Sequence, residues 1–125
     1  MIIDYLSGEI ELSLGFQATK EQHLLIHKLS EFVLSDDFNS VFILRGYAGT
    51  GKTSVVSALV KTMTKLERSC VLMAPTGRAA KVLSLSAGHP AYTIHRRIYR
   101  QQSKEYNANF AIGFNGMKQT LFVVD

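Results

Sequence analysis

The sequence holds one cysteine, Cys70, among 125 residues. A single thiol cannot close a disulfide within the chain. Set in the apolar run CVLMA, residues 70–74, it reads as a buried strand residue of a reducing compartment. Nothing beside it would lower its pKa, so it is not read as reactive. No apolar run reaches the ~18–20 residues that a membrane-spanning helix needs. The opening stretch MIIDYLSGEIELSLG has Asp4 and Glu9 where a secretory signal would carry basic charge, so no such address is read. Repeats and low-complexity linkers are also missing. These absences lead to the expectation of a cytoplasmic protein without a membrane partner.

Acidic residues are scarce in one half only. Residues 1–67 carry six Lys/Arg and eight Asp/Glu, whereas residues 68–124 carry eight Lys/Arg against Glu105 alone. The net charge of +4 therefore hides a basic half suited to a polyanion, or to plain solvation of helices. The length fits one ordinary domain. With 46% of residues hydrophobic and 19% charged, the chain can bury a core.

Periodicity supplies the elements. Ile3, Leu6, Ile10 and Leu14 recur near helical spacing and predict a helix over 2–14, interrupted by Gly8. Leu24, Leu25, Leu29, Phe32 and Val33 form the stripe of a second helix. Thr19 and Gln22 fit a capping box, so this helix should start there and end near Leu34. Val41–Arg45 is continuously apolar and short, which suits a buried parallel strand. Residues 52–64 predict a helix with Val55, Val56, Leu59, Val60 and Met63 inward. Further strands are expected at 70–74 and 120–124, and short helices at 78–85 and 93–100. Residues 101–117, polar and rich in Gly and Asn, predict an irregular excursion or a hairpin. Strands alternating with helices imply an α/β fold with a parallel sheet.

Between the expected strand at 41–45 and the expected helix at 52–64 stands Gly46-Tyr47-Ala48-Gly49-Thr50-Gly51-Lys52-Thr53, a complete P-loop pattern. Its glycines let bare backbone approach phosphate oxygens. Amides from about Ala48 to Thr53 would point at a β-phosphate, with the positive end of the following helix behind them. Lys52 would reach the β- and γ-phosphates as a point charge. The Thr53 hydroxyl suits Mg²⁺, which prefers hard oxygen donors. The expected nucleotide contacts run from Gly46 to Ser54. Asp125 ends the apolar run LFVVD. It reads either as a cap for a following helix or, with a P-loop upstream, as an acid that holds Mg²⁺ through water. Gln22 also has two readings. Its side chain can close the capping box, or its paired donor and acceptor can match an adenine edge.

Four further segments carry a resemblance. ATKEQ at 18–22, APTGRAAKVL at 74–83, TIHRRIY at 93–99 and LFVVD at 121–125 are similar, in this order, to segments of RecD-like superfamily 1 DNA helicases of the exonuclease V alpha-subunit type. The resemblance implies a RecA-like P-loop ATPase domain over 18–125, preceded by a helical extension over 1–17. It implies ATP and Mg²⁺ as cofactors, and Lys52 and Asp125 as the groups nearest the chemistry. It places adenine recognition on Gln22. It places single-stranded DNA on Pro75, Thr76, Gly77, Arg78, Thr93 and His95, with RNA not excluded. Lys81, Arg96, Arg97 and Arg100 add to the same basic half. Sequence-independent tracking along a strand needs that charge and no base readout. The plain alternatives are a solvated helix face for Arg78 and Lys81, and a packed or capping histidine for His95.

The sequence also departs from that family. The family's water-positioning Glu would follow Asp125. Its transition-state arginine, a second RecA-like domain and a strand between those of the P-loop and the Asp are not matched here. The expectation is therefore the first part of a longer ATP-dependent helicase, with possible further subunits or domains, inactive in hydrolysis by itself. Two other readings are a non-catalytic module that binds ATP and nucleic acid, and another P-loop enzyme such as a kinase. A kinase would need a lid and an acceptor pocket, which PTGRAAK does not offer.

Overall fold

The computed structural model describes residues 2–35, 37, 39–46, 51–101, 110–112 and 120–125. The chain divides into two compact units, Met1–Arg68 and Ser69–Asp125.

The first unit is helical among its described residues. It holds α1 (Ile2–Leu14), α2 (Lys20–Val33) and α3 (Lys52–Lys65). Helix α1 packs against both others. Its buried residues Leu6 and Ile10 meet a core that includes Ile26 and Leu29 of α2 and Val55, Leu59, Val60 and Met63 of α3. The i, i+4 spacing of the α1 pair places both on one face. The interface also contains hydroxyls. Ser7 Oγ donates to Ser30 Oγ at 3.0 Å, and Ser30 Oγ donates to the Ile26 carbonyl at 2.8 Å. Thr62 Oγ1 donates to the Ala58 carbonyl at 2.8 Å. Such satisfied pairs offset the cost of taking polar groups out of water. At the rim, Lys65 Nζ bonds Glu9 Oε2 at 2.9 Å, and His23 bonds Glu11.

Helix α2 starts where the capping box places it. Its buried side differs from the expected stripe, because Leu24 is exposed while Gln22, Ile26, Leu29 and Ser30 are buried. The apolar count misled there, since a serine and a glutamine with hydrogen-bond partners occupy core positions.

The strand expected at Val41–Arg45 is not formed. The segment belongs to a unit whose described elements are all helices, and a strand exists only through its ladder partners. Phe42 packs edge-on against Phe32 of α2 with ring centroids 5.5 Å apart. Val41 and Ile43 are exposed.

The second unit holds the sheet. Strands β1 (Cys70–Ala74), β2 (Ala91–Thr93) and β5 (Leu121–Val124) pair in the order β2-β1-β5, all parallel. Helix α4 (Gly77–Ala87) packs on β1 and β2 through Ala80 and Leu83. Its C-terminus closes on Gly88 at φ +64°, the left-handed position that favours glycine. The short helix expected at 93–100 is narrower. Residues 91–93 form β2, helix α5 spans Ile94–Ile98, and Tyr99–Gln101 is β3, paired antiparallel with β4 (Phe110–Ile112). This pairing agrees with a hairpin in the excursion, whose other residues lie outside those described. Two burial expectations are corrected. Cys70 is half-buried at the start of β1, and β5 is not a buried strand, since Phe122 and Val124 are exposed. Among the described residues β5 has a neighbour on one side only; Phe122 and Val124, two apart, share one face of the sheet.

Candidate functional site

The phosphate loop joins the end of the 41–46 segment to α3. Tyr47, Ala48, Gly49 and Thr50 lie outside the described residues, but both ends of the loop are defined. Gly51 is the N-cap of α3 at φ +79°, and no side chain caps the helix there. A left-handed N-cap without a side-chain oxygen leaves the first amides of a 14-residue helix to whatever anion approaches. Lys52 Nζ donates to the Gly46 carbonyl at 3.0 Å, so the lysine side chain already spans the loop from end to start. Thr53 and Ser54 are exposed. Their hydroxyls fit a hard cation and a phosphate.

Gln22 is brought to this loop. It is buried and completes the capping box: Gln22 N donates to Thr19 Oγ1 at 3.1 Å, and Thr19 N donates to Gln22 Oε1 at 2.9 Å. Its Nε2 lies so close to Gly51 that a Cβ at that position would overlap it. The capping reading is therefore realised. The acceptor half of the amide serves the cap, and an adenine edge would have only the donor half to use in this arrangement.

In the second unit, parallel pairing brings three of the expected segments to one end of the sheet. Leu72 pairs with Ala91 and Val123, and Met73 with Tyr92 and Val124. Thr93, Ala74 and Asp125 thus follow one another across the carboxyl ends of the strands, where α/β proteins bind ligands. Asp125 N donates to the Met73 carbonyl at 2.9 Å, which ties the acid to β1. Its carboxylate is exposed at the strand end and suits the metal role chemically. Pro75, Thr76, Gly77 and Arg78 leave β1 on the same side. Thr76 caps α4, its Oγ1 accepting from Ala79 N at 3.1 Å. Thr93 does the same for α5, with Oγ1 accepting from Arg96 N at 3.1 Å. Arg78, Lys81, His95 and Arg96 are exposed.

Sequence reasoning missed Tyr92. The guanidinium carbons of Arg96 and Arg97 stand 6.0 and 5.4 Å from the centroid of its ring, within cation–π range. The signal was an aromatic residue four and five positions before two arginines, but 91–93 was not read as a strand that would present it.

Residues 19–125 match the family model of an AAA domain. No solved structure matches the chain. Among the described residues no helix is long and apolar enough to cross a membrane.

Proposed function

The chain belongs to the AAA-domain family, a P-loop ATPase family found in RecD-like helicases, and we propose that it is the ATP-binding part of an ATP-dependent translocase on single-stranded DNA. Nucleotide binding follows from the family. The finer reading rests on one observation: the carboxyl end of the parallel sheet gathers Asp125 with the Pro75–Arg78 and Thr93–Arg96 segments. An acid suited to a metal and two segments suited to phosphates on one sheet end support a coupling of hydrolysis to a strand.

In this reading Gly46–Ser54 cradles the phosphates of ATP, and Lys52 exchanges the Gly46 carbonyl for the β- and γ-phosphate oxygens. The Thr53 hydroxyl would offer an oxygen donor to Mg²⁺, whose charge would offset that of the transferred phosphoryl group. Gln22 stands against Gly51 and would offer its amide N–H₂ to the base. Arg78, Lys81, His95 and Arg96 meet the phosphodiester backbone without reading bases.

The test has two arms. Calorimetric titration with a non-hydrolysable ATP analogue and Mg²⁺ should show binding that Lys52→Ala weakens at least tenfold, about 1.4 kcal/mol, with the fold retained. Equal affinity in Lys52→Ala would sink the nucleotide assignment. Anisotropy with unrelated labelled single strands should show similar affinities for all. A strong sequence preference, or preference for RNA over DNA, would redirect the substrate assignment.

A further inference from the structure

We propose that Tyr92 is a positioning residue for the nucleic-acid surface, its ring gathering the guanidiniums of Arg96 and Arg97 into a pair that grips the phosphodiester backbone of a single strand. The inference rests on the translocase reading and adds a residue that carries neither charge nor a helicase-like motif.

Two adjacent guanidiniums repel and ordinarily spread into solvent. Here each lies within cation–π range of one ring, and the negative face of an aromatic quadrupole offsets that repulsion. The backbone adds a second, independent constraint, because the Thr93 hydroxyl holds Arg96 N and fixes the direction in which α5 leaves β2. Tyr92 itself is anchored by its ladder position opposite Met73 on β1. Ring and hydroxyl are neighbours in sequence, so one rigid strand end sets both the backbone and the side-chain geometry of the arginines. The surrounding charge selects the ligand. Residues 68–124 contain one acid, Glu105, against eight Lys/Arg, with Asp125 following, so this half of the chain is predominantly basic and favours a polyanion. A preorganised fork of guanidinium donors matches phosphate oxygens bidentately. It carries no base information, as strand tracking requires. The cost of ordering two long side chains falls on folding, not on binding.

The experiment measures anisotropy of a labelled oligothymidylate on the full chain over a salt series. Tyr92→Ile keeps a strand-favouring side chain but removes the ring. It should weaken binding about 2- to 5-fold, whereas Tyr92→Phe should stay near wild type. Arg96→Gln with Arg97→Gln should lower the log–log salt slope by about 1.4, two phosphates at ~0.7 each. Adding Tyr92→Ile to that pair should change nothing further, since the ring acts through the arginines. An abasic strand should show the same Tyr92→Ile ratio as the thymidylate. If the Tyr92→Ile effect vanishes on the abasic strand, the ring stacks on bases and the proposal is overturned. Additive losses overturn it too. An unchanged slope in the double arginine variant overturns it even where Tyr92→Ile unsettles β2. Absence of wild-type binding at low salt removes the parent reading, whereas wild-type binding that Tyr92→Ile leaves intact removes this inference alone.

Discussion

Gln22 and Gly51 constrain each other. Gly51 holds φ +79°, a conformation that costs an alanine about 1–2 kcal/mol, and a Cβ there would also meet the Gln22 amide. Gly51→Ala should therefore lose more stability than the backbone term alone. Gln22→Ala by itself should cost about 1 kcal/mol through the broken capping box. In the double variant the overlap disappears, so the two losses should sum to more than the measured total. Urea denaturation of the four proteins checks this. Strict additivity would mean that the glutamine swings away from the loop at no cost. The same proximity sets Gln22 of α2 against the N-cap of α3. The sequence showed Thr19 and Gln22 as partners, but the approach of Gln22 to Gly51 depends on how α2 and α3 pack, which no local pattern encodes.

Helix α1 is an integral part of its unit. Ile10 is fully buried, whereas Tyr5 on the same helix is exposed. Ile10→Ala should cost about 2–5 kcal/mol, and Tyr5→Ala should stay within ~0.5 kcal/mol, as thermal melts would show. The rim pair is weaker. The hydrogen bond from Lys65 to Glu9, and then the charge of Glu9, raise the Lys65 pKa above its ordinary value. A group whose folded pKa is raised stabilises fully below its unfolded value, and the benefit fades as pH climbs through the folded one. Lys65→Gln should thus melt slightly below wild type at neutral pH. The gap should close in strong alkali, and a gap that widened there would contradict the pair. Legibility varied by element for physical reasons. Long amphipathic helices, the capped start at Thr19 and the glycine-led start at Lys52 were readable because their signals are local. Strand β2 was not, since three half-buried residues carry no period. Val41–Arg45 looked like a strand because apolar runs favour sheets, yet pairing is a property of neighbours, not of the run itself.

At the scale of the whole molecule, charge and architecture divide at nearly the same place. The acidic half ends at residue 67 and the basic half begins at 68, and the chain divides into its two compact units after Arg68. The phosphate loop lies in the first unit and the expected strand contacts in the second. Raising salt should therefore weaken oligonucleotide binding steeply while leaving nucleotide affinity less affected, because the loop holds its ligand largely through oriented amides at short range. Parallel titrations of both ligands from low to high salt would show two different slopes, and equal slopes would mean that both ligands use one surface. The candidate site was legible in the same divided way. Its residues could be named from sequence, but the gathering of Thr93 and Asp125 on either side of β1 required the register of the sheet.

One-sided pairing of β5 has a practical consequence. Among the described residues no strand pairs with its outer edge, and Phe122 and Val124 are exposed. A strand of this kind is a template for another chain. At high concentration the polypeptide should self-associate through it, forming β-rich aggregates that bind amyloid dyes and scatter light. Val124→Lys, a gatekeeper charge on that edge, should raise the concentration at which scattering begins without shifting the melting temperature of the helical unit.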